Sequence, residues 1–317
     1  MLVLVACSSS DAETSLSDNA VVSLDWQLDA GEVLAYRTVY TNIPNEDGRI
    51  TPDIDSLLEE TEIDPFTALA ALMAEMTSNL DLPDEQSMIS LLELNNRGNV
   101  GIEMIIEDTG FEPSNPPENE LAASLGEMMM MEGTVQLRGE VTPSGNIASF
   151  YNSDSQQNLV AIFFELPTEP VAVGDSWELD FDCLSVDASF VVEGVSRTNQ
   201  VTLTEITQNE IGQQVAVIDY IMFENLTGYY DLDAVGMGAF LDTESTESEE
   251  QSATEADEPE LSTFSCTYLA RGEFLVDEGR WQRLVGEMSV SLEGIFPSNS
   301  TQAIALEYLA VVPDEYR

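Results

Sequence analysis

The chain is predicted to be mainly β: a curved antiparallel sheet or open β-barrel, with one or two covering helices near the N-terminus. Three observations predict this. The second half repeats strand-like stretches, namely SWELDF, SFVVEGV, RTNQVTLTEI, QQVAVIDYIMF, FSCTYLARGEFLV and RLVGEMSVSLEGIF, separated by polar or glycine-bearing turns. No basic helix or glycine-rich phosphate loop interrupts them. At 317 residues with 43% hydrophobic composition, the chain has enough apolar side chains for a substantial core.

Taken in order, SLDWQL at 23–28 and EVLAYRTVYT at 32–41 alternate apolar and polar residues and read as opening strands. NIPNEDGRITPD follows as a loop. DPFTALAALMAEMTSNL at 64–80 is the strongest helix signal: Asp64 caps, Pro65 suits the first turn, and Leu69, Leu72, Met73 and Met76 recur at helical spacing. DEQSMISLLEL at 84–94 reads as a second short helix or amphipathic turn, and NNRGN then turns the chain into VGIEMIIE at 100–107. Residues 108–120, rich in proline, asparagine and acid, mark the place where a single domain over 23–317 would divide. The four methionines Met128 to Met131 point in different directions on either a strand or a helix, so they read as packing residues rather than a copper site. TPSGN at 142–146 is a hairpin turn, and NLVAIFFEL at 158–166 is a buried strand. DTESTESEEQSATEADEPE at 242–260 holds nine acids and no base, and reads as a disordered, self-repelling insertion.

The N-terminus begins MLVLVACSSSD. Residues 2–6 are too short to span a bilayer, which takes about 20 apolar residues. Leu4-Val5-Ala6 before Cys7 is similar to the end of a bacterial lipoprotein signal, in which the cysteine is acylated and becomes the first mature residue. That pattern places the lipid on Cys7, makes residues 8–22 a flexible tether, and sets the protein in the cell envelope, outside the cytoplasm, on the outer membrane rather than the inner.

Charge and residue choice exclude more than they assign. Sixty acids stand against nine arginines, with no lysine and no histidine, for a formal charge of −51. Such a surface repels nucleic acid and anionic headgroups and suits a salty medium, so membrane attachment falls to the acyl group. Without histidine or lysine there is no imidazole base, no Schiff-base lysine and no serine–histidine–aspartate triad. Carboxylate-only chemistry survives as an alternative, a polysaccharide hydrolase built on paired acids; Asp180 and Asp182 share one face if residues 177–182 are strand, as Asp231 and Asp233 would, and both pairs read first as a solvated acidic edge. A weak calcium-binding surface is another. The leading expectation is a non-catalytic binding or assembly protein with no cofactor and no metal site, whose partner is an envelope protein or a small ligand. Cys183 and Cys266, in an exported protein, are expected to form one disulfide with a nominal value of roughly 4 kcal/mol.

Three stretches carry a resemblance. GEVTPSGNI at 139–147, ELPTEPVAVGDSWELDF at 165–181 and YLARGEFLVDEGRWQRLVGEMSVSLEG at 268–294 are similar to passages of the bacterial DUF6263-like lipoproteins. The resemblance covers roughly the last 180 residues, and implies an exported β-rich protein with no assigned reaction. Within the middle passage, Pro167 and Pro170 hold the approach extended, Gly174 and Asp175 make a turn, and Trp177 enters the core at the start of a strand.

Overall fold

The computed structural model describes residues 21–44, 84–109, 133–152, 159–186, 189–231, 261–294 and 298–316. Cys7, most of the tether, the helix expected at 64–80, residues 110–120, the methionine run, Asp233 and the acidic stretch 242–260 lie outside the described residues.

Eleven strands form one antiparallel sheet in the order β6-β5-β4-β3-β2-β13-β12-β11-β10-β9-β8. Their ranges are β2 Val33–Ile43, β3 Glu85–Leu94, β4 Val100–Asp108, β5 Val135–Val141, β6 Ile147–Asn152, β8 Ser176–Trp177, β9 Phe190–Gln208, β10 Gln214–Tyr230, β11 Ser262–Leu275, β12 Arg280–Glu293 and β13 Ser298–Leu309. Among the described residues β6 and β8 do not pair with each other, so the curved sheet is open, not a closed barrel. A separate two-stranded ladder joins β1 (Val21–Val22) to β7 (Val171–Ala172). Val21 and Val22 therefore belong to the folded body, and the tether expected over 8–22 ends before them.

Alternation along the strands sorts their residues onto two faces. On β10, Ile218, Tyr220, Met222 and Leu226 are buried, while Ile221 and Phe223 between them are exposed. One row across the concave face reads Thr38, Leu306, Leu284, Gly272, Ile218 and Leu203 in successive strands. Glycine is required in that row because a Cβ on Gly272 would stand 2.6 Å from the Trp281 ring.

Four expectations need correcting. Residues 84–94 are strand β3, not a helix. Ile89 and Leu92, on opposite faces, are both fully buried, so the apolar residues fall at spacings that imitate a helix. Residues 158–166 hold the described helix, α1 (Leu159–Phe164), not a strand. The segment lies over the sheet rather than beside a strand, and a helical turn meets part of its own backbone bonding and leaves the rest to donors from around it. SLDWQL at 23–28 has the expected alternation, with Leu24 and Trp26 buried, yet it runs over the sheet without pairing as a strand. Of SWELDF, only Ser176–Trp177 is strand.

Candidate functional site: the covered concave face

The concave face of the sheet carries the apolar core, and two segments lie on it. The first is α1. Val160 packs against Gly139 of β5 so closely that a Cβ there would come within 2.4 Å of its methyl group. The last carbonyls of a helix lack intrahelical partners, and two buried indoles supply them. Trp26 Nε1 donates to the Phe164 carbonyl at 2.9 Å and Trp281 Nε1 to the Phe163 carbonyl at 2.8 Å. Phe274 meets both indoles edge-on, with centroid distances of 5.8 and 5.1 Å.

The second segment is a strap, residues 178–186, that follows β8. Among the described residues it has no ladder partner, and side chains from the sheet hold its backbone. The Asn199 amide donates to the carbonyls of Leu179 (2.8 Å) and Phe181 (3.2 Å), while its oxygen accepts the Leu179 N–H at 3.1 Å. Glu224 is 2% exposed on the inner face of β10, accepts the Leu184 N–H at 2.9 Å and pairs with Arg197 at 2.5 Å. Arg197 also reaches Asp182 at 2.6 Å. A disulfide joins Cys183 to Cys266 of β11, with Cα atoms 6.0 Å apart. Asp180 and Asp182 thus sit on an irregular strap rather than one strand face. Asp231 stands just past β10, where its N–H donates to Ser189 at 2.7 Å.

Upstream of the strap, Gly174 adopts a φ of +93°, a conformation that favours glycine. Asp175 closes the turn: its carboxylate accepts the Ala172 N–H at 2.8 Å and its own N–H donates to the Ala172 carbonyl at 3.0 Å. Pro167 is buried and Pro170 exposed. Trp177 is half-buried against the core, and its Nε1 has no hydrogen-bond partner among the described residues.

Glu165 joins the two segments. Its carboxylate accepts the Asp180 N–H at 2.7 Å. Burial, with the Asp180 charge acting in the same direction, pushes its pKa from 4.5 up to about 7. No local motif marks Glu165 or Glu224 in the sequence, where each is one acid among sixty.

Besides the Tyr36 phenol, which meets the Trp281 backbone, three hydroxyls inside this face have no partner among the described residues. Thr38, Ser90 and Tyr268 are fully buried, and none of their oxygens makes a hydrogen bond. Tyr268 lies 6.3 Å from Tyr220, centroid to centroid. Burial, then the neighbouring Tyr220 and Tyr40 phenols, push the Tyr268 pKa well above its ordinary value. It therefore stays protonated and able to donate. An unmade hydrogen bond of this kind costs about 1–3 kcal/mol, so three of them in one apolar interior need an explanation.

On the outer face, a groove of about 770 Å³ runs over β2 to β5, lined by Val33, Leu91, Glu93, Glu103, Arg138 and Tyr316 among others. Its acids are largely spoken for: Glu103 pairs with Arg138 and Glu140 with Arg97. Among the described residues no group of three or more cysteine, aspartate or glutamate side chains is arranged to hold a metal ion.

No protein-family model and no curated protein matches the chain. Two solved structures align over most of its length. One, MucB in complex with MucA(peri), is 6% identical over 87% of this chain and 89% of that one, with a TM-score of 0.10. The other, the Pseudomonas aeruginosa MucA/MucB complex, is 7% identical over 88% and 89%, also with a TM-score of 0.10. Likeness at that level carries neither fold nor function across.

Proposed function

We propose that this chain is a binding or assembly protein of the bacterial cell envelope, anchored through a lipid on Cys7, and that the concave face of its sheet receives an apolar ligand bearing a neutral hydrogen-bonding group. The trio of unpartnered hydroxyls carries this reading. A ligand that slips between the sheet and its two covering segments gains apolar burial along its length. Its polar group relieves hydroxyls that otherwise stay unpaired, and polar atoms of that kind fix orientation in a mostly apolar site. The charge of −51 favours a neutral ligand over an anion. The Cys7 sequence pattern supports the anchor and the outer-membrane location. The turn built by Gly174 and Asp175 supports kinship with the DUF6263-like lipoproteins, since it falls in the passage that carries that resemblance.

The test compares 1-dodecanol with dodecane as competitors for the fluorescent probe N-phenyl-1-naphthylamine. Both should displace the probe from the wild-type protein. In the Thr38→Val/Ser90→Ala variant, dodecanol should weaken about tenfold, as expected for one lost hydrogen bond, while dodecane is unchanged. An absence of probe binding, or equal weakening of both competitors, would overturn the reading. The anchor has a separate test: mass spectrometry of the exported protein should find acylated Cys7 as the first residue.

Glu165 gives the carboxylate-hydrolase alternative its one specific observation, a carboxyl held half-protonated near neutral pH beside Asp180. Turnover of a polysaccharide that is abolished in Glu165→Gln would favour that alternative.

A further inference from the structure

The open sheet has two edges of opposite character. At one, β8 covers β9 only at Val201 and Thr202. Beyond that cover, β9 carries Glu193 and Arg197, and its register with β10 shifts near Gly194. Charges and irregular register are the usual ways a sheet edge avoids pairing with another chain. At the other edge, β6 reads IASFYN and has no charged residue. Phe150 and Tyr151 are 42% and 64% exposed. A register shift disturbs only its start, and Ser149 to Asn152 run in unbroken register with Leu137 to Glu140 of β5. Among the described residues, no strand pairs with the other side of β6. Alternate backbone N–H and C=O groups of that run point away from β5.

Charge selects the occupant. Next to this edge, Arg138 pairs with Glu103 and Arg97 with Glu140, so two of the chain's nine arginines neutralise the flank of β6. The edge is uncharged in a molecule of net charge −51. A basic peptide finds no charge on it to read. Two copies of this chain repel one another across their acidic surfaces, and this edge is where they meet least repulsion. We infer that two copies pair edge to edge through β6, antiparallel, extending one sheet into the other.

The symmetry of such a pair is specific. An antiparallel strand pair has its two-fold axis at a residue that faces its own copy, here Phe150 or Tyr151. Phe150 stands opposite Gly139 on the side covered by α1, and Tyr151 stands opposite Arg138 on the outer side. Either axis places an aromatic residue against itself and the second aromatic beside it, an arrangement that favours cross-strand pairing.

The experiment uses the full chain with Cys7→Ser, so that no lipid mediates association. Sedimentation equilibrium should show a dimer whose dissociation constant falls at least about tenfold between roughly 0.1 M and 2 M potassium chloride, as salt screens repulsion between the copies. Phe150→Lys/Tyr151→Lys should remain monomeric throughout, and at a protein concentration low enough that the wild-type chain is also monomeric its melting temperature should be unchanged, because both side chains lie on the surface. Phe150→Cys or Tyr151→Cys should cross-link to its own copy under mild oxidation. Ile211→Cys, 79% exposed in the β9–β10 turn, should not. If the lysine variant fails to fold, the cysteine pair decides. A monomer at every salt concentration, a dimer indifferent to the lysines, or cross-linking at Ile211 equal to that at β6 would each overturn the inference.

Discussion

The helix α1 and the strap 178–186 cover the same concave face by opposite means. The helix is six apolar residues that make part of their own backbone bonding, and two neutral indole donors take the carbonyls of its last turn, so packing and uncharged hydrogen bonds seat it. The strap has irregular backbone, and must take its hydrogen bonds from elsewhere. It takes them from Asn199 and Glu224, adds the Arg197 ion pair, and is closed by a covalent bond. Regular secondary structure frees a segment from dependence on charge. Irregular backbone laid over a core requires polar and covalent fixtures, and these are the features that salt, pH and reductant reach.

Breaking the strap should therefore cost more than disturbing the helix. The largest effect is expected for Cys183→Ser/Cys266→Ser. The bridge spans 83 residues, which corresponds to about 4.5 kcal/mol of loop-closure entropy. Denaturant unfolding should show a loss of that order, and non-reducing peptide mapping of the wild-type protein should recover the two cysteines linked. Glu224→Ala comes next. It strands the Leu184 N–H and one side of Arg197, and because Arg197 still reaches water the cost should be about 3 kcal/mol, at the low end for a broken buried pair. Trp281→Phe acts on the helix side. The Phe163 carbonyl loses its donor and some ring volume is lost, so about 2 kcal/mol is expected, with the strap unaffected by limited proteolysis.

The smallest effect sharpens the comparison at the junction. Glu165 titrates at 4.5 when unfolded and at about 7 when folded. Between those values the folded state holds more of the proton, so stability falls as pH rises through that window and levels off above it. Glu165→Gln keeps an acceptor for the Asp180 N–H and removes the titration. The variant should gain on wild type from pH 4.5 to 7 and hold a constant difference beyond, when melting temperatures are compared pairwise. A parallel pair of pH profiles would show that Glu165 is not buried as described.

The strands of the second half were legible because one of their faces meets the core and the other meets water. β10 writes this out as buried Ile218, Tyr220 and Met222 alternating with half-buried or exposed Asp219, Ile221 and Phe223. β3 and α1 depart from their sequence expectation for the converse reason. Each is apolar on more than one side, so periodicity loses its contrast and a short apolar run serves strand or helix equally well. Residues 23–28 show a third case: alternation reports a buried side, but cannot report whether a neighbouring strand is there to pair with.

The sequence by itself determined the electrostatics, with −51 and no imidazole or lysine, and the predominance of antiparallel strands, because composition and local alternation are properties of the chain alone. It also determined turns such as 142–146, where Gly145 takes a φ of +84°. Only the tertiary structure decided which six apolar residues become the helix, since that depends on their lying over the face of the sheet rather than beside one of its strands. Only it chose Glu224 and Glu165 from sixty acids. Their burial depends on Arg197, 27 residues away from Glu224, on Leu184, 40 away, and on Asp180, 15 away from Glu165. No local pattern records such separations, because a carboxylate's cost in the core is set by the partners that folding brings to it.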